Sequence, residues 1–298
     1  MPAEELEFLF SLVVSGLSIG MMYSLIALGF VLVYKATDAI NFAQGEFVML
    51  AGFACATTLA YSAPLWLAIL VAVVVMVGFS FALERVVLRP LLGRPVVAVI
   101  MATIGLAAIL RGLPPITIGA QTKTIPLPIG DDPIPFFWTT LPPIQVLGLV
   151  ASALCLAGFT WFFTKSRMGV AMRAVADNQQ VAMAMGINVE RYFAIAWAMA
   201  GIVAAVGGII WGSMLGVDTQ LALVGLKVFP VVILGGLDSI IGAVVGGLII
   251  GVVESVAAGY LDPLVGGGTK DFAPYVLMIV ALMFKPYGLF GKRKIERI

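Results

Sequence analysis

Long stretches without a charged residue dominate this chain, and their length decides what it can fold into. Leu9–Tyr34 is one such stretch, and Phe47–Leu83 is another that is far too long for a single helical crossing of a bilayer. A transmembrane helix needs about 20 apolar residues. Only 11% of the residues are charged, whereas a soluble domain carries about 25%. We therefore predict an integral membrane protein with an all-α fold, a polytopic bundle of transmembrane helices in the lipid bilayer.

Division of the apolar sequence predicts about nine crossings, with eight as the alternative. Phe47–Leu83 is divided into two spans because Pro64 lies near its middle, which predicts a turn at Ser62–Pro64. The other predicted spans are Leu9–Tyr34, Val96–Leu110, Ile144–Phe163, Tyr192–Val217, Leu221–Gly236, Ser239–Leu261 and Phe272–Phe284. Gly112–Pro143 is rich in Pro and Gly and lacks helical periodicity, which predicts an external loop. Residues 1–298 are expected to form one transmembrane domain.

Lysine and arginine cluster in three segments, and this clustering predicts the orientation of the chain. Glu84–Arg94 holds three of them, Lys165–Arg191 holds four and the tail from Lys285 holds five, so these segments contain 12 of the 17 basic residues. Basic residues near the ends of spans favour the cytoplasmic side. We therefore place these segments in the cytoplasm, and Gly112–Pro143 and the acidic N-terminus outside. An outside N-terminus and a cytoplasmic C-terminus require an odd number of crossings.

The sequence lacks several features on which most enzymes and nucleic-acid-binding proteins depend. There is no histidine, which excludes imidazole catalysis, histidine zinc sites and imidazole proton relays. The net charge of +1 creates no overall field that would attract nucleic acid. The phosphate-binding pattern Gly-x-x-x-x-Gly-Lys-Ser/Thr is also missing. We therefore expect no ATPase site, no enzyme activity, and no cofactor or metal in this chain.

Three polar side chains interrupt the apolar sequence after the first span. Asn41, Gln44 and Glu46 surround Gly45, where the helical pattern breaks. Broken membrane helices present free backbone groups to a passing substrate, so these three residues are candidates for a translocation path. The alternative is that they cap the end of the first span at the membrane surface.

Two charged residues of the C-terminal third, Lys227 and Glu254, fall within predicted spans. Charges at this depth face protein or water rather than lipid. Lys227 and Glu254 either pair and join two helices or act directly in transport, and they are kept as path candidates. Arg111 is expected to extend to the membrane interface. Glycines four residues apart, such as Gly247 and Gly251, predict close helix packing within the chain.

Residues 165–191 are too polar to cross a membrane and too regular for a simple linker. Two blocks of helix-forming residues, Met168–Val175 and Gln179–Met185, are followed by Gly186 as a stop, and Asp177-Asn178 precedes the second block as a cap. Several alanines give this segment small side chains, so another protein can approach its backbone closely. The segment is therefore predicted to be a cytoplasmic docking loop with a short helix pair. The alternative is a solvated basic loop that only sets the topology.

The same loop resembles that of a known family. Ala182-x-x-x-Gly186 resembles the core of the coupling loop with which permeases of ABC importers dock their ATPase, and RMGVAMRAVADNQQVAMAMGIN is similar to this loop in LivH-type permeases for branched-chain amino acids. Further matches to this family are Tyr23–Phe30, Ile40–Phe47, Leu234–Ala243 and Lys285–Gly291, so the resemblance covers nearly the whole chain. The docking residues that it implies are Arg173, Ala176, Asp177, Ala182, Gly186, Ile187 and Asn188.

The resemblance implies a membrane-spanning permease subunit of an ABC importer in the bacterial inner membrane. Such a subunit would pass branched-chain, hydrophobic amino acids inward, driven by ATP hydrolysis on two partner ATPase subunits that hold ATP and Mg²⁺. A second permease chain of the LivM type and a periplasmic substrate-binding protein are the other implied partners. The alternatives are an ABC permease for urea, short amides or other amino acids, and an ion-coupled secondary transporter.

Overall fold

The computed structural model is built mainly from helices and describes residues 3–91, 94–130 and 132–291. Its α-helices are α1 (Ala3–Thr37), α2 (Gln44–Ala60), α3 (Leu65–Leu83), α4 (Val96–Thr117), α5 (Pro143–Lys165), α6 (Arg167–Asp177), α7 (Gln179–Ala184), α8 (Val189–Leu215), α9 (Leu223–Gly235), α10 (Ile240–Tyr260), α11 (Asp262–Val265) and α12 (Thr269–Phe284). A π-helical turn, Glu84–Leu88, and a 3-10 turn, Arg89–Leu91, extend α3, and another 3-10 turn, Thr219–Ala222, precedes α9. Two short strands, β1 (Ile134–Phe136) and β2 (Thr139–Leu141), form an antiparallel pair.

Six helices in the described part of the chain are long and apolar enough to cross a membrane, namely α1, α3 with its extension, α4, α5, α8 and α10. They confirm the predicted all-α, multi-pass membrane architecture. The other predicted spans correspond to α2 with 17 residues, α12 with 16, and α9 with 13 after a 3-10 turn of 4. At about 1.5 Å per residue, each is shorter than the roughly 30 Å hydrocarbon core. The count of nine crossings therefore stays a prediction.

The sequence predicts two places where a helix ends, the turn at Ser62–Pro64 and the start of a loop at Gly112. The turn at Ser62–Pro64 is confirmed, because it lies between α2 and α3. The predicted external loop at 112–143 begins with helical residues, because α4 continues to Thr117 and includes Pro114, and its external location stays a prediction. Proline has a backbone φ that suits a helix, so the last turn of α4 accommodates Pro114 and Pro115, although each removes the hydrogen bond to the carbonyl four residues earlier. The break comes instead near Gly119, which has a φ of +106°.

Some of the predicted cytoplasmic residues lie outside the described ranges. They are Leu92 and Gly93 in the first basic segment and Lys292, Arg293, Lys294 and Arg297 in the C-terminal tail. The orientation of the chain rests on the sequence pattern and stays a prediction.

Residue contacts divide the chain into two compact units. The first unit consists of Met1–Ala27, Pro128–Ala153 and Lys227–Ile298, and the second consists of Leu28–Leu127 and Leu154–Leu226. Helices α1, α5 and α9 each contribute residues to both units. In the second unit, α8 is largely buried and packs against α2 and α3. This three-helix contact forms the core of the second unit.

In the first unit, glycines bring the backbones of α1 and α10 into contact. A Cβ atom on Gly16 would lie 2.7 Å from the carbonyl oxygen of Gly251, and one on Gly247 would lie 2.5 Å from the carbonyl oxygen of Gly20. Only glycine allows these approaches. Apolar side chains gain little by leaving lipid for one another, so membrane helices associate through such close packing. The predicted packing role of Gly247 and Gly251 within the chain is confirmed.

We expect Gly247→Ala to destabilise the first unit. The added methyl group would collide with the backbone of Gly20 and the hydroxyl of Ser24, and overpacking of this kind costs about 1–3 kcal/mol. Gly78→Ala on α3 is the matched control, because nothing lies within 4 Å of the new methyl group and alanine is favoured in a helix by about 1 kcal/mol. Thermal unfolding in detergent should show a lower midpoint for Gly247→Ala alone. Equal midpoints for the two variants would contradict the contact.

Candidate functional site

Asn41 and Gln44 form a buried polar turn at the start of α2, in the second unit. The side-chain oxygen of Asn41 accepts a hydrogen bond from the backbone N–H of Ala43 at 3.1 Å, and its amide donates to Gln44 Oε1 at 3.3 Å. Gln44 Nε2 donates to the carbonyl oxygen of Ala200 on α8 at 3.5 Å. The two side chains therefore order the first residues of α2 inside the protein and do not cap an exposed helix end.

Glu46, in the first turn of α2, pairs with Arg111 of α4. Arg111 Nη2 lies 2.5 Å from Glu46 Oε1, and the Glu46 side chain is 2% exposed while that of Arg111 is 43% exposed. Arg111 is expected from the sequence to extend to the membrane interface, and the structure adds a paired carboxylate that the sequence does not reveal. A buried carboxylate is strongly destabilising without a hydrogen-bonded counter-charge, and Arg111 supplies it.

Lys227 and Glu254 meet in the first unit, as one of the two sequence hypotheses predicts. Lys227 Nζ lies 3.5 Å from Glu254 Oε1 and 2.7 Å from Asp271 Oδ1. The three residues belong to α9, α10 and α12, so one ammonium group joins three helices. Sequence reasoning missed Asp271, because it considered only charges inside the predicted spans.

A charged cluster that the sequence pattern does not predict lies at the end of α3. Arg89 donates to both carboxylate oxygens of Glu84 at 3.3 and 3.1 Å, and to Glu190 at the start of α8 at 3.0 Å. Glu84 begins the π-helical turn, and the backbone N–H of Arg89 donates to its carbonyl. This wider turn brings a residue five positions later over the carboxylate. A search for ordinary helical spacings of three and four does not find the pair.

Two short helices, α6 and α7, occupy the segment that was predicted as a helix pair between α5 and α8. Ser166 caps α6 by accepting from the N–H of Gly169 at 2.9 Å, and Asn178 caps α7 by accepting from the N–H of Val181 at 3.0 Å. Gly186 then reverses the chain with a φ of +81°. The segment is therefore an ordered turn of two capped helices.

The predicted docking residues of this segment differ in their exposure. Arg173, Ala176, Asp177, Gly186 and Asn188 are exposed and Ile187 is half-buried. Ala182 is buried, so the expectation that it forms part of the approachable surface is corrected. Ala182 is the buried residue of α7, while Gln180, Val181, Met183 and Ala184 around it are exposed. Asn188 also caps α8, since its side chain accepts from the N–H of Arg191 at 3.0 Å.

The multi-pass helical architecture, with a pair of short capped helices between two spans, has a counterpart among known protein families. The family model for the branched-chain amino acid transport system, permease component, matches residues 12–283. The chain belongs to this family. It is a membrane permease of the ABC importer type, and its predicted resemblance to LivH-type permeases is confirmed.

Two relatives align with the permease over almost their whole length. The high-affinity branched-chain amino acid transport system permease protein BraD of Pseudomonas aeruginosa is 32% identical over 302 residues, which cover 96% of each chain. The permease protein LivH of the corresponding system in Escherichia coli is 28% identical over 311 residues, which cover 99% of this chain and 100% of LivH.

A solved structure shares the fold of the permease at much lower sequence identity. PsaBC from Streptococcus pneumoniae, in complex with Fab, matches with a TM-score of 0.51 and 12% identity over 97% of this chain and 98% of the other. This likeness concerns the fold alone.

Arg111→Met should destabilise the permease more than the double variant Arg111→Met with Glu46→Gln. The single variant leaves a buried carboxylate without its partner, and we expect a loss of about 1–3 kcal/mol. The double variant removes that charge and should recover part of the loss. Thermal unfolding in detergent measures the difference, with Arg167→Met on the exposed face of α6 as the control. A double variant less stable than Arg111→Met would show that the pair does not act in this way.

Proposed function

We propose that the permease passes branched-chain amino acids into the cell, driven by ATP hydrolysis on two partner ATPase subunits. The names of its relatives BraD and LivH support this substrate class. ATP and Mg²⁺ would be held by the partners, because the sequence lacks a phosphate-binding loop. A second permease chain of the LivM type and a periplasmic substrate-binding protein would complete the importer.

The observation that carries the proposal is the exposed apolar surface of α7 and the turn after it. Val181, Met183 and Met185 are 57%, 56% and 78% exposed. Apolar side chains exposed together outside the bilayer mark protein interaction sites. We infer that α6 and α7 form the coupling loop and dock an ATPase subunit. The proposed docking residues are Arg173, Ala176, Asp177, Gly186, Ile187 and Asn188, while the buried Ala182 holds α7 in place.

The connections of this loop support a role in transmitting movement into the membrane. Only Ser166 separates α5 from α6, and Asn188 caps α8 directly after the turn. Helix α8 packs against α2, and the carbonyl of Ala200 accepts from Gln44 in the polar turn. A docked ATPase that moves the loop would therefore act on α8 and, through it, on the start of α2. This route suits a permease that alternates between outward and inward openings.

Asn41, Gln44 and Glu46 are the proposed translocation-path residues of the second unit. Buried polar side chains on membrane helices are costly and mark substrate pathways more often than simple packing positions. A zwitterionic amino acid needs such groups to replace water on its way through the membrane. For Lys227 and Glu254, the observed ion pair supports a role in joining helices over a direct role in transport.

The proposed orientation keeps the N-terminus outside and the C-terminus in the cytoplasm. It is supported by the concentration of basic residues in Glu84–Arg94, Lys165–Arg191 and the tail from Lys285. It places the coupling loop on the side of the membrane where ATP is available.

Met185→Asp should leave the permease folded and inserted but weaken its hold on the ATPase. A charge at the centre of an apolar interface costs enough to reduce co-purification by about tenfold or more. Leu264→Asp on α11 is the matched control, because Leu264 is 80% exposed and lies outside the proposed docking loop. Gly186→Leu, in which the positive φ disfavours the new side chain, should have the same effect. Normal co-purification of the ATPase with both coupling-loop variants would contradict the assignment.

Reconstituted transport tests the proposed function directly. The complex pulled down with this chain should take up radiolabelled leucine into proteoliposomes only when ATP and the binding protein are both supplied. Omission of either component is the control. An ATPase partner without leucine uptake would favour urea, short amides or another amino acid as the substrate. Uptake driven by an ion gradient without ATP would contradict the importer and favour a secondary transporter.

A further inference from the structure

A cavity of about 80 Å³ lies within the second unit, beside the π-helical turn and the start of α4. A water molecule needs about 10–15 Å³ by the same measure, so the cavity has room for roughly five to eight waters or one small organic molecule. Much of its lining is apolar and comes from Leu88, Val96, Val99 and Phe193. This lining suits an aliphatic group better than a chain of ordered waters.

Two arginines line the same cavity, and they differ in their partners. Arg89 is already paired with Glu84 and Glu190. Arg94 forms no ion pair with any residue in the described ranges, so its positive charge stays available at the edge of an apolar space. Trp197 adds a second donor, because it lines the cavity, is 1% exposed, and its Nε1 has no hydrogen-bond partner among the described residues.

We propose that this cavity binds a small aliphatic carboxylate. The alkyl group would pack against Val96, Val99 and the other apolar lining residues, and the carboxylate would pair with Arg94. A guanidinium and an indole N–H that have no ion-pair or hydrogen-bond partner among the described residues favour an anion over a cation. The same chemistry describes a branched-chain amino acid and the 2-oxo acid formed from it by loss of the amino group. Neither ligand requires Glu84, whose oxygens are held by Arg89.

The position of Gln179 connects the cavity to the coupling loop. Gln179 is the first residue of α7, lines the cavity, and donates to the carbonyl oxygen of Ala36 at 3.4 Å. A ligand in the cavity would therefore contact the loop proposed to dock the ATPase. This consequence rests on the proposed function: a carboxylate accumulating in the cytoplasm would alter coupling from the inside. Binding itself does not depend on it and can be tested on the permease alone.

Titration calorimetry on the full-length permease in detergent, without ATPase or binding protein, tests the site. The probes are isovalerate, which has a branched alkyl group and a carboxylate, and isoamylamine, which has a branched alkyl group and an ammonium. We expect isovalerate to bind and isoamylamine not to bind. Leucine and 4-methyl-2-oxopentanoate then distinguish the two sources of the carboxylate. Equal binding of the amine, or no binding of any carboxylate, would overturn the proposal.

Matched variants locate the binding in this cavity. Arg94→Gln should weaken isovalerate binding about tenfold or more, whereas Arg85→Gln, an exposed arginine of the π-helical turn outside the lining, should not. Val99→Phe fills the cavity and should abolish binding, whereas Val97→Phe on the exposed side of α4 should not. Unchanged affinity in both Arg94→Gln and Val99→Phe would overturn the proposal. The leucine uptake assay is independent of these results, so the two proposals fail separately.

Discussion

Every backbone amide in the bilayer core needs a hydrogen-bond partner within the protein, and the rest of this structure depends on that requirement. It makes the apolar stretches helical and confines irregular backbone to places where side chains satisfy the freed groups. Asn41 serves the start of α2 in this way, Asp218 accepts from the N–H of Gln220 before α9, and Ser239 accepts from the N–H of Gly242 at the start of α10. In the first unit, α1 and α10 then meet through glycines. Apolar side chains are as well accommodated by lipid as by one another, so close backbone packing replaces the hydrophobic effect as the source of helix association.

Charge follows a second pattern that recurs in both units. Buried carboxylates at Glu46, Glu84 and Glu254 are each paired with a basic residue whose side chain is more exposed, at Arg111, Arg89 and Lys227 respectively. The basic side chains are 43%, 32% and 33% exposed, against 2%, 2% and 11% for the carboxylates. A long basic side chain can keep part of its length near water while its charged end reaches a buried partner. Each pair therefore joins helices or turns and still limits the cost of desolvation.

Three features to which we assign proposed roles lie in the second unit: the polar turn before α2, the proposed coupling loop and the cavity lined by Arg94. Helix α8 connects the first two, since it begins at the end of the loop and contacts α2. Gln179 connects the loop to the cavity. In the proposed importer, an ATPase docked on the loop would move the buried polar groups of α2, and the largely buried helix α8 is the direct structural connection between them.

The sequence by itself determined the helical membrane class, the turn at Ser62–Pro64, the cap of α7 and the family, because apolar length, proline, capping residues and motif order are local properties. Only the tertiary structure decided that Arg111 pairs with Glu46, that Arg89 reaches Glu84 through a π-helical turn and that Ala182 is buried. The physical reason is that a membrane helix such as α3 is apolar on nearly every side. Its pattern does not reveal which face meets a neighbour, so side-chain partners depend on helix rotation and packing that no local signal encodes.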